Sequence, residues 1–140
     1  MAVASAISAE PGQKTKTKKV AVIGFGYIGA GVMDMLSRGV PGLELSKIVV
    51  QDIGKKRSAV VSANYLTTDV RQVIDNPEVD IVVELMGGIK PAKTYLLDAL
   101  RNGKDVVTAN KKLLATAGDE IFSLASSLNR HVGFRGTFVG

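Results

Sequence analysis

Gly24, Phe25, Gly26, Tyr27, Ile28 and Gly29 spell a GxGxxG run between a short β-branched apolar segment and residues at helical spacing. In that context each glycine has a separable physical task. Gly24 permits a tight backbone turn, Gly26 lets the main chain approach a pyrophosphate with no Cβ in the way, and Gly29 allows close helix–strand packing. The helix that follows would offer free N–H groups and the positive end of its dipole to the phosphates. Glycine turns without a ligand are common, so the strand–turn–helix setting carries the reading rather than the glycines alone.

Three further groups fall at the ends of later apolar segments. Asp52 lies 23 positions after Gly29, near the acidic residue that bonds the adenosine ribose of a dinucleotide. Lys55, Lys56 and Arg57 follow it at once. Such cations could neutralise a ribose 2′-phosphate, or could be ordinary solvated charges on a loop. The expectation is that NADP(H) is preferred and NAD(H) tolerated. Met86, Gly87 and Gly88 close the apolar run Val79–Leu85, where two glycines let a flat group such as a nicotinamide ring reach the backbone. Glu84, one step earlier, reads as a buried, hydrogen-bonded carboxylate rather than a catalytic one. Thr108, Asn110 and Lys111 follow the next apolar pair, and Lys111 could hold cofactor, substrate carbonyl or a developing alkoxide. Lysines near helix starts are also commonplace on surfaces.

The elements that must position these groups alternate regularly. Strands are expected at Lys19–Ile23, Ile48–Val50, Tyr65–Leu66, Val79–Leu85, Val106–Val107 and Val132–Val139. Between them helical patterns run from Tyr27 to Ser37, from Thr68 or Asp69 to Asp75, and from Pro91 to Gly103. Two more short helices are expected at Asn110–Ala115 and Asp119–Leu128, whereas Lys55–Asn64 is ambiguous. Connections too long for hairpins require right-handed crossovers. The fold class is therefore α/β: a Rossmann-type doubly wound, mainly parallel sheet of about six strands with helices on both faces.

Composition narrows the function classes. The 140 residues are 46% hydrophobic and 22% charged, the mix of a single globular domain. There is no cysteine and one histidine, His131, which excludes a thiol nucleophile and weighs against a Cys/His zinc site or a Ser-His-Asp triad. No metal is expected. The longest stretch free of charge, Val20–Met33, is too short and glycine-rich to cross a membrane. The net charge is +5, but four lysines against Glu10 place +3 of it in residues 1–19. Residues 1–18 read as a flexible basic leader and 19–140 as the nucleotide-binding domain. The lysines have no aromatic platform beside them, so nucleic acid is not an expected partner. They follow rather than precede the apolar residues, unlike a secretory signal, and the leader has no Arg to suggest a transit peptide. The expected compartment is the cytoplasm.

The stretch Val82–Phe122 (VVELMGGIKPAKTYLLDALRNGKDVVTANKKLLATAGDEIF) closely resembles the homoserine dehydrogenases, as do GFGYIGAGVMDML and Tyr65–Asp80. The joint occurrence of GxGxxG, ELMGG and TANK is far more specific than any one of them. The resemblance implies NAD(P)H-dependent reduction of aspartate 4-semialdehyde to homoserine, a step toward threonine, methionine and isoleucine. It further implies that Gly24–Gly29 hold the pyrophosphate and Met86–Gly88 border the nicotinamide. Lys111 would correspond to the family's lysine between cofactor and substrate. Family members continue into a substrate and dimerisation region with a second lysine and acidic residues, whereas these 140 residues end at Gly140. The expectation is a half-site that binds NADP(H) and turns over little alone, a small-molecule substrate being engaged only if a second domain or chain completes it. Self-association into a homo-oligomer is left open. The alternative reading is a free-standing nucleotide-sensing module, which suits the length but explains neither TANK nor ELMGG.

Overall fold

The computed structural model describes residues 17–24, 38–39, 41–54, 63–134 and 137–139. Its strands are β1 (Lys18–Ile23), β2 (Leu43–Val49), β3 (Leu66–Thr67), β4 (Ile81–Glu84), β5 (Asp105–Thr108), β6 (Val132–Phe134) and β7 (Thr137–Val139). The helices are α1 (Arg71–Ile74), α2 (Ala92–Arg101) and α3 (Lys111–Ser127). The sheet order is β3-β2-β1-β4-β5-β6-β7. Strands β1 to β6 pair in parallel and β7 runs antiparallel to β6. From β1 the chain winds outward to β2 and β3, then returns to β4 on the other side of β1. The order therefore reverses between β1 and β4, and a crevice opens beyond their carboxyl ends. The doubly wound α/β arrangement expected from the alternation of apolar segments is the one observed.

The central strands are apolar at nearly every position because both sheet faces are covered. On one face Ala21, Ile23, Val82 and Val106 pack with Val73, Leu96, Leu100, Leu113, Ile121 and Val132. On the other, Val20, Val22, Ile48, Ile81, Val83 and Val107 form a second cluster. The three described helices all belong to the first face. The helix expected at Tyr27–Ser37 and most of the ambiguous segment Lys55–Asn64 lie outside the described residues, as does the leader up to residue 16.

Helix α2 ends as its sequence requires. Gly103 (φ +81°) donates to Leu100 O at 3.0 Å, and Lys104 N donates to Ala99 O at 3.1 Å. That pair of bonds is a Schellman closure, which needs a left-handed residue where only glycine is unstrained. The Lys104 side chain then turns inward, 2% exposed, and its ammonium donates to Asn76 O at 2.6 Å and Val79 O at 2.9 Å.

Three elements differ from expectation. The two short helices after Asn110 are a single helix, α3, because Leu113, Ala117, Ile121 and Ala125 form an unbroken buried row four residues apart. The apparent break at Gly118 is a small residue inside that helix. An added Cβ there would meet Phe122 at 3.6 Å, ordinary van der Waals contact. Gly118→Ala should therefore stabilise the chain by about 0.5–1 kcal/mol through backbone entropy, which urea denaturation can check. The final strand is two, β6 and β7, folded back on each other with Phe134 opposite Thr137. Finally, β2 begins at Leu43 rather than Ile48, its first half being only partly buried and so lacking the apolar run of its second half.

Candidate functional site

The crevice begins at Gly24. Its N–H donates to Val49 O at 2.8 Å and its φ is +90°. A Cβ built there would stand 3.1 Å from both the Cγ and the backbone N of Met86 and 3.2 Å from the Leu85 carbonyl carbon. The turn after β1 thus lies against the turn after β4, and a glycine is required where they meet. Leu85 N adds a bond to Ile23 O at 2.9 Å.

Behind that junction a polar knot joins β4, β5 and the start of α3. Glu84 and Thr108 are register partners on neighbouring strands, and both are fully buried. The Glu84 carboxylate accepts from Thr108 Oγ1 at 2.6 Å through Oε1, and from Met86 N at 2.7 Å and Gly87 N at 3.1 Å through Oε2. Thr108 Oγ1 in turn accepts from Asn110 N at 3.0 Å. Asn110 caps α3, its Oδ1 accepting from Leu113 N at 3.0 Å, and its Nδ2 donates to Gly88 O. Among the described residues no buried side-chain nitrogen or oxygen lacks a partner. Glu84 is therefore the hydrogen-bonded carboxylate its position suggested, and it organises the turn rather than facing solvent.

The structure accordingly brings Gly24, Met86, Gly87, Gly88, Thr108 and Asn110 to one place. Lys111 occupies the first position of α3, exposed at the same crevice edge. Asp52 stands beyond the end of β2, where its Oδ1 accepts from Gly54 N at 2.9 Å. Phe25, Gly26, Tyr27, Ile28, Gly29, Lys56 and Arg57 lie outside the described residues. Sequence reasoning missed the dual role of Asn110, although Asn immediately before a helix is a recognisable cap signal.

A dinucleotide fits this backbone. At Gly87 and Gly88 an added Cβ would meet nothing within 4 Å, so a flat ring has room to approach there. Among the described residues no three His, Asp or Glu side chains stand close enough to hold a metal ion, and no helix is long and apolar enough to cross a membrane.

Comparison with known proteins agrees with this geometry. The family described as "Homoserine dehydrogenase, NAD binding domain" matches residues 24–135. The homoserine dehydrogenase of Bacillus subtilis (strain 168) is 37% identical over 134 residues, covering 89% of this chain and 31% of the relative. That of Corynebacterium glutamicum is 38% identical over 149 residues, covering 100% of this chain and 33% of its own length. Among solved structures, a homoserine dehydrogenase from Thiobacillus denitrificans superposes with a TM-score of 0.76 at 38% identity, over 84% of this chain and 29% of that one. The chain thus spans about a third of the length of the relatives it matches. With its turn, crevice and sheet order in place, the chain belongs to the homoserine dehydrogenase family, whose NAD-binding domain it carries.

Proposed function

We propose that the chain binds NADP(H) in preference to NAD(H) and provides the cofactor half of the reduction of L-aspartate 4-semialdehyde to L-homoserine. The observation that carries this reading is the junction of Gly24 with the Met86–Gly88 turn where the strand order reverses. Gly24 supplies the tight turn, its own N–H being held by Val49 O, and Phe25, Gly26, Tyr27, Ile28 and Gly29 hold the pyrophosphate with backbone amides. Asp52 bonds the adenosine ribose, and Lys56 and Arg57 neutralise a 2′-phosphate. Met86, Gly87 and Gly88 border the nicotinamide, with Thr108 and Asn110 behind them.

When bound, the reduced dinucleotide supplies a hydride to the aldehyde carbon. Lys111 then lies between cofactor and substrate, where its ammonium offsets the charge of the forming alkoxide. The reaction runs in the cytoplasm, the setting of soluble biosynthetic substrates.

Calorimetric titration tests the cofactor half. Arg57→Ala should weaken NADPH binding by roughly 10- to 100-fold and leave NADH unchanged, as expected for loss of a bidentate phosphate contact. Equal NADPH affinity in variant and parent would refute the NADP preference. A polypeptide of these 140 residues should form no homoserine from the semialdehyde and NADPH, because donor, acceptor and proton source must be held together in near-attack geometry. Appreciable turnover would show that the whole site lies within them.

A further inference from the structure

We infer that Glu84 and Thr108 form a positioning pair, which locks the Met86–Gly88 turn to the start of α3 and so fixes the nicotinamide end of the dinucleotide relative to Lys111. The inference rests on the dinucleotide reading above and adds to it a role for two residues that do not face the ligand.

The hydrogen bonds close a ring. Glu84 holds Met86 N and Gly87 N, Gly88 O is held by Asn110, and Asn110 N is held by Thr108, which returns to Glu84. The ring ties together the loop after β4 and the start of α3, the two segments that meet at the crevice edge. It is set at the end of a strand whose other members, Ile81, Val82 and Val83, are apolar. A fully buried carboxylate is costly there unless every lone pair it presents finds a donor. An apolar residue would have continued the core more cheaply, but it could not hold two successive amides of a turn and a neighbouring strand at once. The Thr108 hydroxyl is equally committed, donating to Glu84 and accepting from Asn110, so it has no proton to give a ligand. Its contribution to binding therefore acts through the turn. Lys111 is the residue next to Asn110, so the same ring sets where the helix bearing that cation begins.

The test compares NADPH with 2′-phospho-ADP-ribose, the fragment lacking the nicotinamide ring, by calorimetry on the 140-residue chain and its variants. The parent should bind NADPH more tightly than the fragment. Thr108→Val should lower NADPH affinity by roughly 10-fold while fragment affinity changes by less than about 2-fold, as for a misplaced rather than missing contact. Thr108→Ser, which keeps the hydroxyl, should restore the parent ratio. Glu84→Gln should show the selective NADPH loss, because an NH2 in place of the oxygen that accepts from Thr108 leaves the buried Thr108 hydroxyl with no acceptor.

Thermal melts accompany each variant. If Thr108→Val does not fold, Glu84→Asp carries the test: it keeps the charge, withdraws it by one methylene, and should show the same selective NADPH loss. Equal losses for NADPH and fragment would reduce the ring to a general structural element and overturn the proposal. Unchanged NADPH binding, or a parent that does not prefer NADPH to the fragment, would also overturn it. A parent that binds neither probe would instead remove the dinucleotide reading itself.

Discussion

Gly24→Val should produce a chain with a much reduced unfolding midpoint and no measurable dinucleotide binding. Two costs act at this position. A non-glycine residue held at φ +90° is strained by about 1–3 kcal/mol. Its Cβ would also press on Met86 and on the Leu85 carbonyl carbon at 3.1–3.2 Å, and overpacking of that kind costs about 1–3 kcal/mol more. Backbone atoms cannot rotate aside as a side-chain end can, so the two turns must separate. Together the penalties reach about 2–6 kcal/mol against a typical domain stability of about 5–15 kcal/mol. Binding should fall by roughly 100-fold or more, since the same displacement opens the place where the two turns meet. Denaturant titration and calorimetry read both effects. A valine variant melting within about 2 °C of the parent would show that the junction is looser than its geometry implies.

The second large effect is expected at the other end of the strands, just before β5. Lys104→Glu places a carboxylate where an ammonium now donates to Asn76 O and Val79 O, so a buried charge faces two acceptors. A loss of about 3–5 kcal/mol is expected, as when one partner of a buried ionic contact is left uncompensated. Lys104→Met, similar in length and apolar, isolates the charge itself. Burial holds the Lys104 ammonium below the usual lysine value, with the Asp80 and Asp75 carboxylates pulling it upward less strongly. The unfolded chain therefore keeps this proton to higher pH than the folded one. The stabilising share of that difference is complete above the ordinary value of 10.5 and is lost as pH falls through the lower folded-state value. As pH rises toward 10.5, stability should rise for the parent relative to Lys104→Met. Parallel urea titrations across that range check the sign.

Some of this was legible in the chain and some was not. The apolar run before Gly24, the continuous apolar residues around Ile81–Val83, and the Pro91…Gly103 bracket are local signals. Each carries its own physical cause, and each appears in the structure where the sequence placed it. Gly118 misled because glycine weakens a helix, whereas the buried row on either side of it restores one; tertiary packing overrode propensity. The fold-back at β6 and β7 depends on which neighbour a strand pairs with, which its own residues do not state. Glu84 could be recognised as a buried carboxylate from its position at an apolar strand's end. Its partners could not, because Thr108 is 24 residues away and meets it only through sheet register. Lys104 was missed altogether, since a lysine after a helix-ending glycine looks the same whether it turns outward or inward.

The central place of β1 bears on how the chain is made. It leaves the ribosome before either of the strands it pairs with, yet it lies between β2 and β4. Its pairing with β4 joins Val20 to Ile81, about 60 residues later, so at about 5–20 residues per second one edge waits roughly 3–12 s for its neighbour. During that interval an apolar strand is exposed to other nascent chains. Codon changes that slow translation between Gly24 and Asp80 should therefore lower soluble yield without altering a single residue of the product.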